Sequence, residues 1–211
     1  MDRARRVAQL IEVLRQGEIL AAHAAQRQSR IAPLPWMRRA LEIQAAQERS
    51  HVALASVAAG IAGFTHCRGA MPNLIAPLQQ QLECDLDAGN LAASLLGLQG
   101  VIEHLGETLL EQLGKHAHPA GAPLHALRRK VLAQEHGHVQ LGARCLQTLA
   151  PGMEQVDALN SYRALGRDAA VQITGLLDDA RLDAAAFWQG VEQRLDDWHH
   201  GAQASRAGVL S

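Results

Sequence analysis

Apolar side chains recur along this chain at spacings of three and four residues, which is the period of an α-helix and not of a β-strand. Near the N-terminus Val7, Ile11, Leu14 and Glu18 follow one another at this spacing, so an acidic residue continues an apolar stripe. The pattern predicts a first helix from about Arg3 to about Arg30.

The same period predicts further helices, separated by segments that contain proline and glycine. They run from about Trp36 to about Ala62, Asn73 to Lys115 with a break near Asp85 to Asn90, Leu124 to Leu149, Glu154 to Leu177, and Asp183 to His200. The long connection from Gly63 to Pro72 suits a crossover between two helix pairs of a four-helix bundle, and His116 to Pro123 is a predicted loop.

Composition agrees with an all-α fold. Hydrophobic residues make up 48% of the 211 residues and aromatic residues only 3%, and the chain is rich in alanine, leucine and glutamine, which favour helices. This length fits one domain. We expect residues 1–211 to form it, with a core bundle over about 3–150 and bracing C-terminal helices over about 154–200.

Charge and the cysteines narrow the class further. A net charge of −1 gives no electrostatic case for nucleic acid or an anionic membrane as a partner. No apolar run reaches the roughly 18 residues that a membrane span needs, and polar residues interrupt the N-terminal apolar stretch, so neither a span nor a signal peptide is expected. Three scattered cysteines suit a reducing compartment, and we predict a cytoplasmic protein.

Two Glu-x-x-His motifs carry the candidate chemistry. They are Glu48-Arg-Ser-His51 and Glu135-His-Gly-His138, each inside a predicted helix. Residues three apart lie on one helix face, so each motif presents a carboxylate and an imidazole to the same point. These donors suit divalent iron or manganese.

Each motif follows a helix that offers a lone candidate carboxylate, Glu18 before the first and Glu103 before the second. Glu107, one turn after Glu103, competes with it for that role. The separations of 30 residues from Glu18 to Glu48 and 32 from Glu103 to Glu135 allow the chain to run half a helix up, turn, and return to the same level. The order Glu, ExxH, Glu, ExxH is the ligand set of a di-metal carboxylate site in a four-helix bundle.

The segments around these residues resemble the ferritin-like di-iron superfamily, and most of all its small oxygenases of the aldehyde-deformylating type. The similar segments are Gln16-Gly17-Glu18, Glu48-Arg-Ser-His51, Val101-Ile102-Glu103-His104-Leu105 and Gln134-Glu135-His136-Gly137-His138. The resemblance implies Glu18, Glu48, His51, Glu103, Glu135 and His138 as metal ligands, with Glu48 and Glu135 as bridging, catalytic carboxylates. It also implies two Fe ions, with Mn an option in one or both positions.

The function expected from this resemblance is a di-iron oxygenase or oxidase that activates O₂ and oxidises a small, apolar organic substrate. The chain has no flavin or Rossmann fingerprint, so its electrons would come from a donor such as a ferredoxin. Two alternatives stay open, a ferroxidase or bacterioferritin-like iron-handling protein and a metal-free helical interaction module. The oligomeric state is open as well, with a homodimer as one option.

Several neighbouring residues carry secondary expectations. Gly97, Gly100 and Gly106 predict close helix packing, a local bulge or room for substrate near Glu103. We expect an apolar cavity on that side, lined by residues such as Leu96, Gly100, Leu14 and Ile11. His104 and His136 are expected at the surface. Gln44 and Gln99 are expected to be either polar core residues or part of the cavity wall.

Overall fold

The computed structural model describes residues 3–61, 73–115, 122–149 and 154–207. All regular structure in these segments is helical, which confirms the all-α prediction. The helices are α1 (Arg3–Ile31), α2 (Pro35–Ile61), α3 (Ala76–Asp87), α4 (Leu91–Gly97), α5 (Glu103–Lys115), α6 (Ala122–Thr148), α7 (Glu154–Asp179) and α8 (Ala184–Ala207). A π-helical turn (Leu98–Ile102), called here the π-turn, joins α4 to α5.

The predicted break in the third helix is present. Gly89 adopts a φ of 69°, in the left-handed region that favours glycine, just after α3 ends. The Asn90 side chain then accepts a hydrogen bond from the Ala93 amide and caps the start of α4. The expected connection from Gly63 to Pro72 lies outside the described residues. Helix α6 begins earlier than predicted, at Ala122, so Pro123 lies in its first turn.

A local bulge near Glu103 was one of the three expectations for Gly97, Gly100 and Gly106, and the π-turn is such a bulge. One additional residue in a helical turn rotates everything beyond it by about 100°. Glu103 is the first residue of α5, immediately after the π-turn. The π-turn therefore sets the direction in which the Glu103 side chain points.

Helices α1, α2, α4–α5 and α6 form the bundle, and α7 and α8 pack against the outer side of α4 and α5. The C-terminal helices supply some of the largest fully buried side chains of the described structure, including Tyr162, Ile173, Leu177 and Phe187. At about 25 cal/mol per Å² of apolar surface, such side chains make α7 and α8 a substantial part of the core.

Aromatic rings from the C-terminal helices pack against two of the three glycines near Glu103. A Cβ at Gly97 would lie 2.3 Å from the Tyr162 ring, and a Cβ at Gly100 would lie 2.6 Å from the Trp198 ring. The expectation that Gly100 lines a cavity was therefore wrong, because Trp198 of α8 occupies that space. Gly106 differs, since a Cβ there would meet nothing within 4 Å.

Candidate metal centre

The six carboxylate and imidazole side chains singled out by their spacing converge at the middle of the bundle. Their donor atoms form two groups, and within each group all atoms lie within 4.8 Å of one another. The first group is Glu18, Glu48, His51 and Glu135, and the second is Glu48, Glu103, Glu135 and His138. Glu48 and Glu135 belong to both groups.

His51 Nδ1 is the hub of the first group. It lies 3.2 Å from Glu18 Oε2, 3.1 Å from Glu48 Oε2 and 2.9 Å from Glu135 Oε1. Local spacing alone could not bring together side chains from three helices. The first group depends on α1, α2 and α6 meeting at one level of the bundle.

His138 Nδ1 has the same place in the second group. It lies 2.7 Å from Glu48 Oε1, 3.6 Å from Glu135 Oε2 and 3.7 Å from Glu103 Oε1. Glu48 and Glu135 therefore each direct one oxygen to His51 and the other oxygen to His138. Two carboxylates with this arrangement could each bridge a pair of ions.

These groups are buried, and burial changes their protonation. It raises the pKa of Glu18 to about 8, helped by the nearby Glu135 and Glu48 carboxylates. Burial also raises the pKa of Glu103 well above its usual range, and Glu48 and Glu135 add to this effect. Glu103 therefore favours the protonated, neutral state when no cation is near.

The two shared carboxylates behave in the opposite way. Although burial alone would raise their pKa values, the contacts of Glu48 with His138 and His51 lower its pKa, and the pKa of Glu135 is also lowered. Burial opposes a charge on the imidazoles, but their carboxylate neighbours raise the pKa of His51 and raise that of His138 to about 12. Without a bound cation, imidazolium ions thus balance the negative charge of the buried carboxylates. Metal cations could take over that role.

The donor set fits two divalent cations. Glu135 Oε1 and His138 Nδ1 are buried and make no hydrogen bond, although each lies within 3 Å of a charged partner. Donor atoms that lie this close without hydrogen-bond geometry fit the ligands of a cation placed between them. Four carboxylates and two imidazoles are also the oxygen and nitrogen donors that suit iron or manganese.

The competing residue Glu107 lies elsewhere. Its Oε2 is 3.3 Å from Arg194 Nε of α8 and 3.6 Å from His104 Nδ1. The Arg194 guanidinium and the two histidines near it outweigh partial burial and lower the pKa of Glu107. Glu107 thus faces α8, and Glu103 faces the cluster.

The surface prediction held for one of the two neighbouring histidines. The His136 side chain is 66% exposed. The expectation for His104 was wrong, because α8 covers that side of α5 and leaves the residue only 5% exposed. The covering helix lies more than 70 residues further along the chain, so periodicity around His104 gave no sign of it.

Three buried glutamines form a hydrogen-bonded chain that ends on the cluster, called here the amide chain (Gln28, Gln99 and Gln44). Gln99 Nε2 donates to Gln28 Oε1 at 2.9 Å and to Gln44 Oε1 at 3.0 Å. Gln44 Nε2 donates to Glu103 Oε1 at 2.6 Å and to Glu48 Oε1 at 3.2 Å. Gln44 and Gln99 are therefore satisfied polar core residues, which was one of the two expectations for them.

Two further glutamines contact the outer nitrogens of the histidines. His51 Nε2 lies 3.0 Å from Gln134 Oε1, and His138 Nε2 lies 2.8 Å from Gln47 Oε1. Neither glutamine was among the predicted site residues. The available signal was that a Gln precedes the Glu of both motifs.

A cavity of about 40 Å³ adjoins the cluster between α1, α5 and neighbouring helices. Glu18, Glu103 and Glu135 form its acidic wall. The other lining residues are apolar: Val13, Leu14, Gly17, Ala21, Ile75, Ile102, Leu105, Gly106, Leu109 and Ile173. Leu14 was expected there, but Ile11, Leu96 and Gly100 are not part of the lining. Of the three glycines near Glu103, Gly106 borders the cavity.

No helix within the described segments is long and apolar enough to cross a membrane.

No family model and no curated protein sequence matches this chain. A solved structure does match it, that of a Synechococcus protein described as protein 19 with aldehyde deformylating oxidase activity. The TM-score is 0.80, and the superposition covers 100% of this chain and 99% of that one at 16% sequence identity. At this identity the likeness concerns the fold alone. This chain therefore has the ferritin-like fold of that aldehyde deformylating oxidase.

Proposed function

We propose that this protein is an O₂-dependent di-iron oxidoreductase, an oxygenase or oxidase, acting on a small apolar organic substrate. The observation that carries the proposal is the pair Glu48 and Glu135, each directing one oxygen to His51 and one to His138 beside an apolar cavity. Glu18 and Glu103 would complete the two ligand sets. Mn in one or both positions is the alternative metal content.

Two bound iron ions would offer open coordination positions for O₂ and would pass to it electrons from a donor such as a ferredoxin. The protein's own part is to hold six donors at fixed positions and to keep the site dry. Glu18, Glu103 and Glu135 border the cavity, so a substrate in it would lie beside the metals. Apolar walls such as Leu14 and Ile102 would orient it through contacts and exclude water.

The size of the cavity favours a small substrate group, and its lining favours an apolar one. One water needs a cavity of roughly 10–15 Å³. A cavity of about 40 Å³ therefore holds a group of a few heavy atoms. The Synechococcus protein of the same fold is described by an aldehyde deformylating activity. Aldehydes with apolar chains are therefore the first substrates to test.

The first test is elemental analysis of protein produced in iron-replete medium, with about two Fe or Mn ions expected per chain. The second is O₂ consumption by the iron-loaded protein with a reductant, a ferredoxin system and a series of linear aldehydes, with the matching alkanes and carboxylic acids as controls. His138→Ala is the matched inactive variant. A wild-type protein that binds no metal under any loading condition would overturn the proposal.

The iron-handling alternative gives a different result in the same experiment. A ferroxidase would oxidise many Fe²⁺ ions per chain without an organic substrate and would collect them in a large shell. Particle size and iron content measured together separate the two functions.

A further inference from the structure

The two metal-binding motifs share one more residue than the ExxH pattern contains. Gln47 precedes Glu48, and Gln134 precedes Glu135, so both read Gln-Glu-x-x-His. Each glutamine reaches across to the other motif. Gln134 Oε1 of α6 lies 3.0 Å from His51 Nε2 of α2, and Gln47 Oε1 of α2 lies 2.8 Å from His138 Nε2 of α6.

An amide oxygen can only accept a hydrogen bond, so the histidine nitrogen facing it must carry the proton. With Nε2 protonated, the neutral imidazole has its free lone pair on Nδ1. In both histidines Nδ1 is the atom that faces the carboxylates, 2.9 Å from Glu135 for His51 and 2.7 Å from Glu48 for His138. Each glutamine contact thus selects the ring orientation and the tautomer that a metal ligand needs.

We infer that Gln47 and Gln134 are crossed positioning residues, with Gln134 holding His51 for one metal position and Gln47 holding His138 for the other. This inference rests on the proposed function. It assigns one glutamine to each position, because His51 belongs to the first group of donors and His138 to the second.

The neutral side chains of Gln47 and Gln134 also matter for the charge of the site. Four carboxylates and two divalent ions balance each other, provided that the histidines and their outer partners are neutral. An amide meets this condition, whereas a carboxylate at position 47 or 134 would add a negative charge beside a buried site. The two glutamines therefore orient the imidazoles without disturbing the charge balance.

The test uses Gln47→Met and Gln134→Met, which keep the length of the side chain and remove the acceptor oxygen. Anaerobic titration with Co²⁺, followed by its visible absorption and by calorimetry, measures the two binding events of the metal-free protein. We expect each single variant to keep one tight position and to weaken the other by about 10-fold to 100-fold, as loss of such outer partners typically does. The variants serve as controls for each other, because each should leave the other metal position at wild-type affinity.

A readout that needs no variant of the glutamines keeps the test decisive if a Met variant misfolds. In the Zn²⁺-loaded wild type, long-range ¹H–¹⁵N spectra of the histidine side chains should show a protonated Nε2 and a metal-bound Nδ1 for His51 and His138. Their signals can be assigned with His51→Gln and His138→Gln.

The outcomes separate this inference from the proposed function. If wild-type protein binds no Co²⁺, Zn²⁺ or iron, the proposed function fails. If wild-type protein binds two ions, and both Met variants bind two with unchanged affinity, only the role of the glutamines is overturned. Unprotonated Nε2 atoms in the loaded wild type would overturn it as well.

Discussion

Gln99 occupies the space that a side chain at position 142 would need. A Cβ built on Gly142 would lie 2.4 Å from Gln99 Cβ, closer than such atoms come in real proteins. Gly142 of α6 therefore lets Gln99 of the π-turn enter the bundle, where it is the middle member of the amide chain. Through Gln44, that chain ends on Glu103 and Glu48.

We predict that Gly142→Ala displaces Gln99 and destabilises the protein. Overpacking of a filled core costs about 1–3 kcal/mol, which exceeds the roughly 0.5–1 kcal/mol that Ala gains over Gly inside a helix. The free energy of unfolding in urea measures the net loss. Gly175→Ala on α7 is the matched control, because a Cβ there meets nothing within 4 Å and should stabilise the helix. Equal effects of the two substitutions would contradict the role given to Gly142.

Metal loading should raise the thermal stability of this protein. Six ionisable groups are buried together at the cluster, and cations bound only in the folded state stabilise it by mass action. A saturating ion at 100 times its Kd would add about 2.7 kcal/mol. The melting temperature with and without a chelator measures this, and His51→Ala should lose most of the shift while keeping its helical circular dichroism. A chelator that leaves the melting temperature of the loaded protein unchanged would count against a buried metal.

The sequence was sufficient for the helix order, which follows from local periodicity, and the spacing of Glu18, Glu48 and His51 along the chain predicted that they lie at one level of the bundle. It left a local bulge near Glu103 as one of three options, since whether a helix accepts an additional residue depends on what packs against it. Here Tyr162 packs at Gly97, just before that segment, and Trp198 packs at Gly100 within it.

The same reason explains why glycine was misread. A glycine in a sequence indicates missing volume but not what fills it. Gly100 receives Trp198 from α8, almost 100 residues later, whereas Gly106 is left open. Helices distant in sequence determine whether the space beside a glycine is filled or left as a cavity. No pattern around the glycine itself carries that information.

The phenol of Tyr162 should contribute stability that disappears at alkaline pH. Its hydroxyl donates a hydrogen bond to Asp85 Oδ2 at 2.6 Å, and burial together with this carboxylate raises the pKa of Tyr162 above its usual value of 10.0. A raised pKa means that the folded state favours the protonated phenol. The contribution is therefore complete below about pH 10 and falls as the pH rises beyond it.

Tyr162→Phe tests this relationship. The variant should lose about 1.5–3 kcal/mol of unfolding free energy at neutral pH, the range for a hydrogen bond to a charged group. The difference from wild type should shrink above about pH 10. Denaturant titrations at pH 7, 9 and 10.5 measure it. A difference that stays constant over this range would show that the phenol's protonation is not linked to folding.

The cavity gives the last prediction, which concerns Gly106. Since Gly100 is covered by Trp198, filling position 100 would disturb the packing of α8 and would not report on substrate. Gly106 borders the cavity, and a side chain there meets nothing within 4 Å of its Cβ. Gly106→Leu should therefore place its side chain in a space of only about 40 Å³. We expect it to retain both metal ions and to lose substrate-dependent O₂ consumption by at least 10-fold, about 1.4 kcal/mol of transition-state stabilisation.

Gly106→Ala is the matched control and should keep most of the activity, because one methyl group leaves part of the cavity open. Metal content and helical circular dichroism of both variants must match wild type for the comparison to hold. If Gly106→Leu keeps its metals and oxidises the same substrate at the wild-type rate, the substrate does not bind in this cavity. If long substrates lose more turnover than short ones, the cavity at Gly106 holds the apolar chain, and the oxidised group lies deeper, beside Glu103 and Glu135.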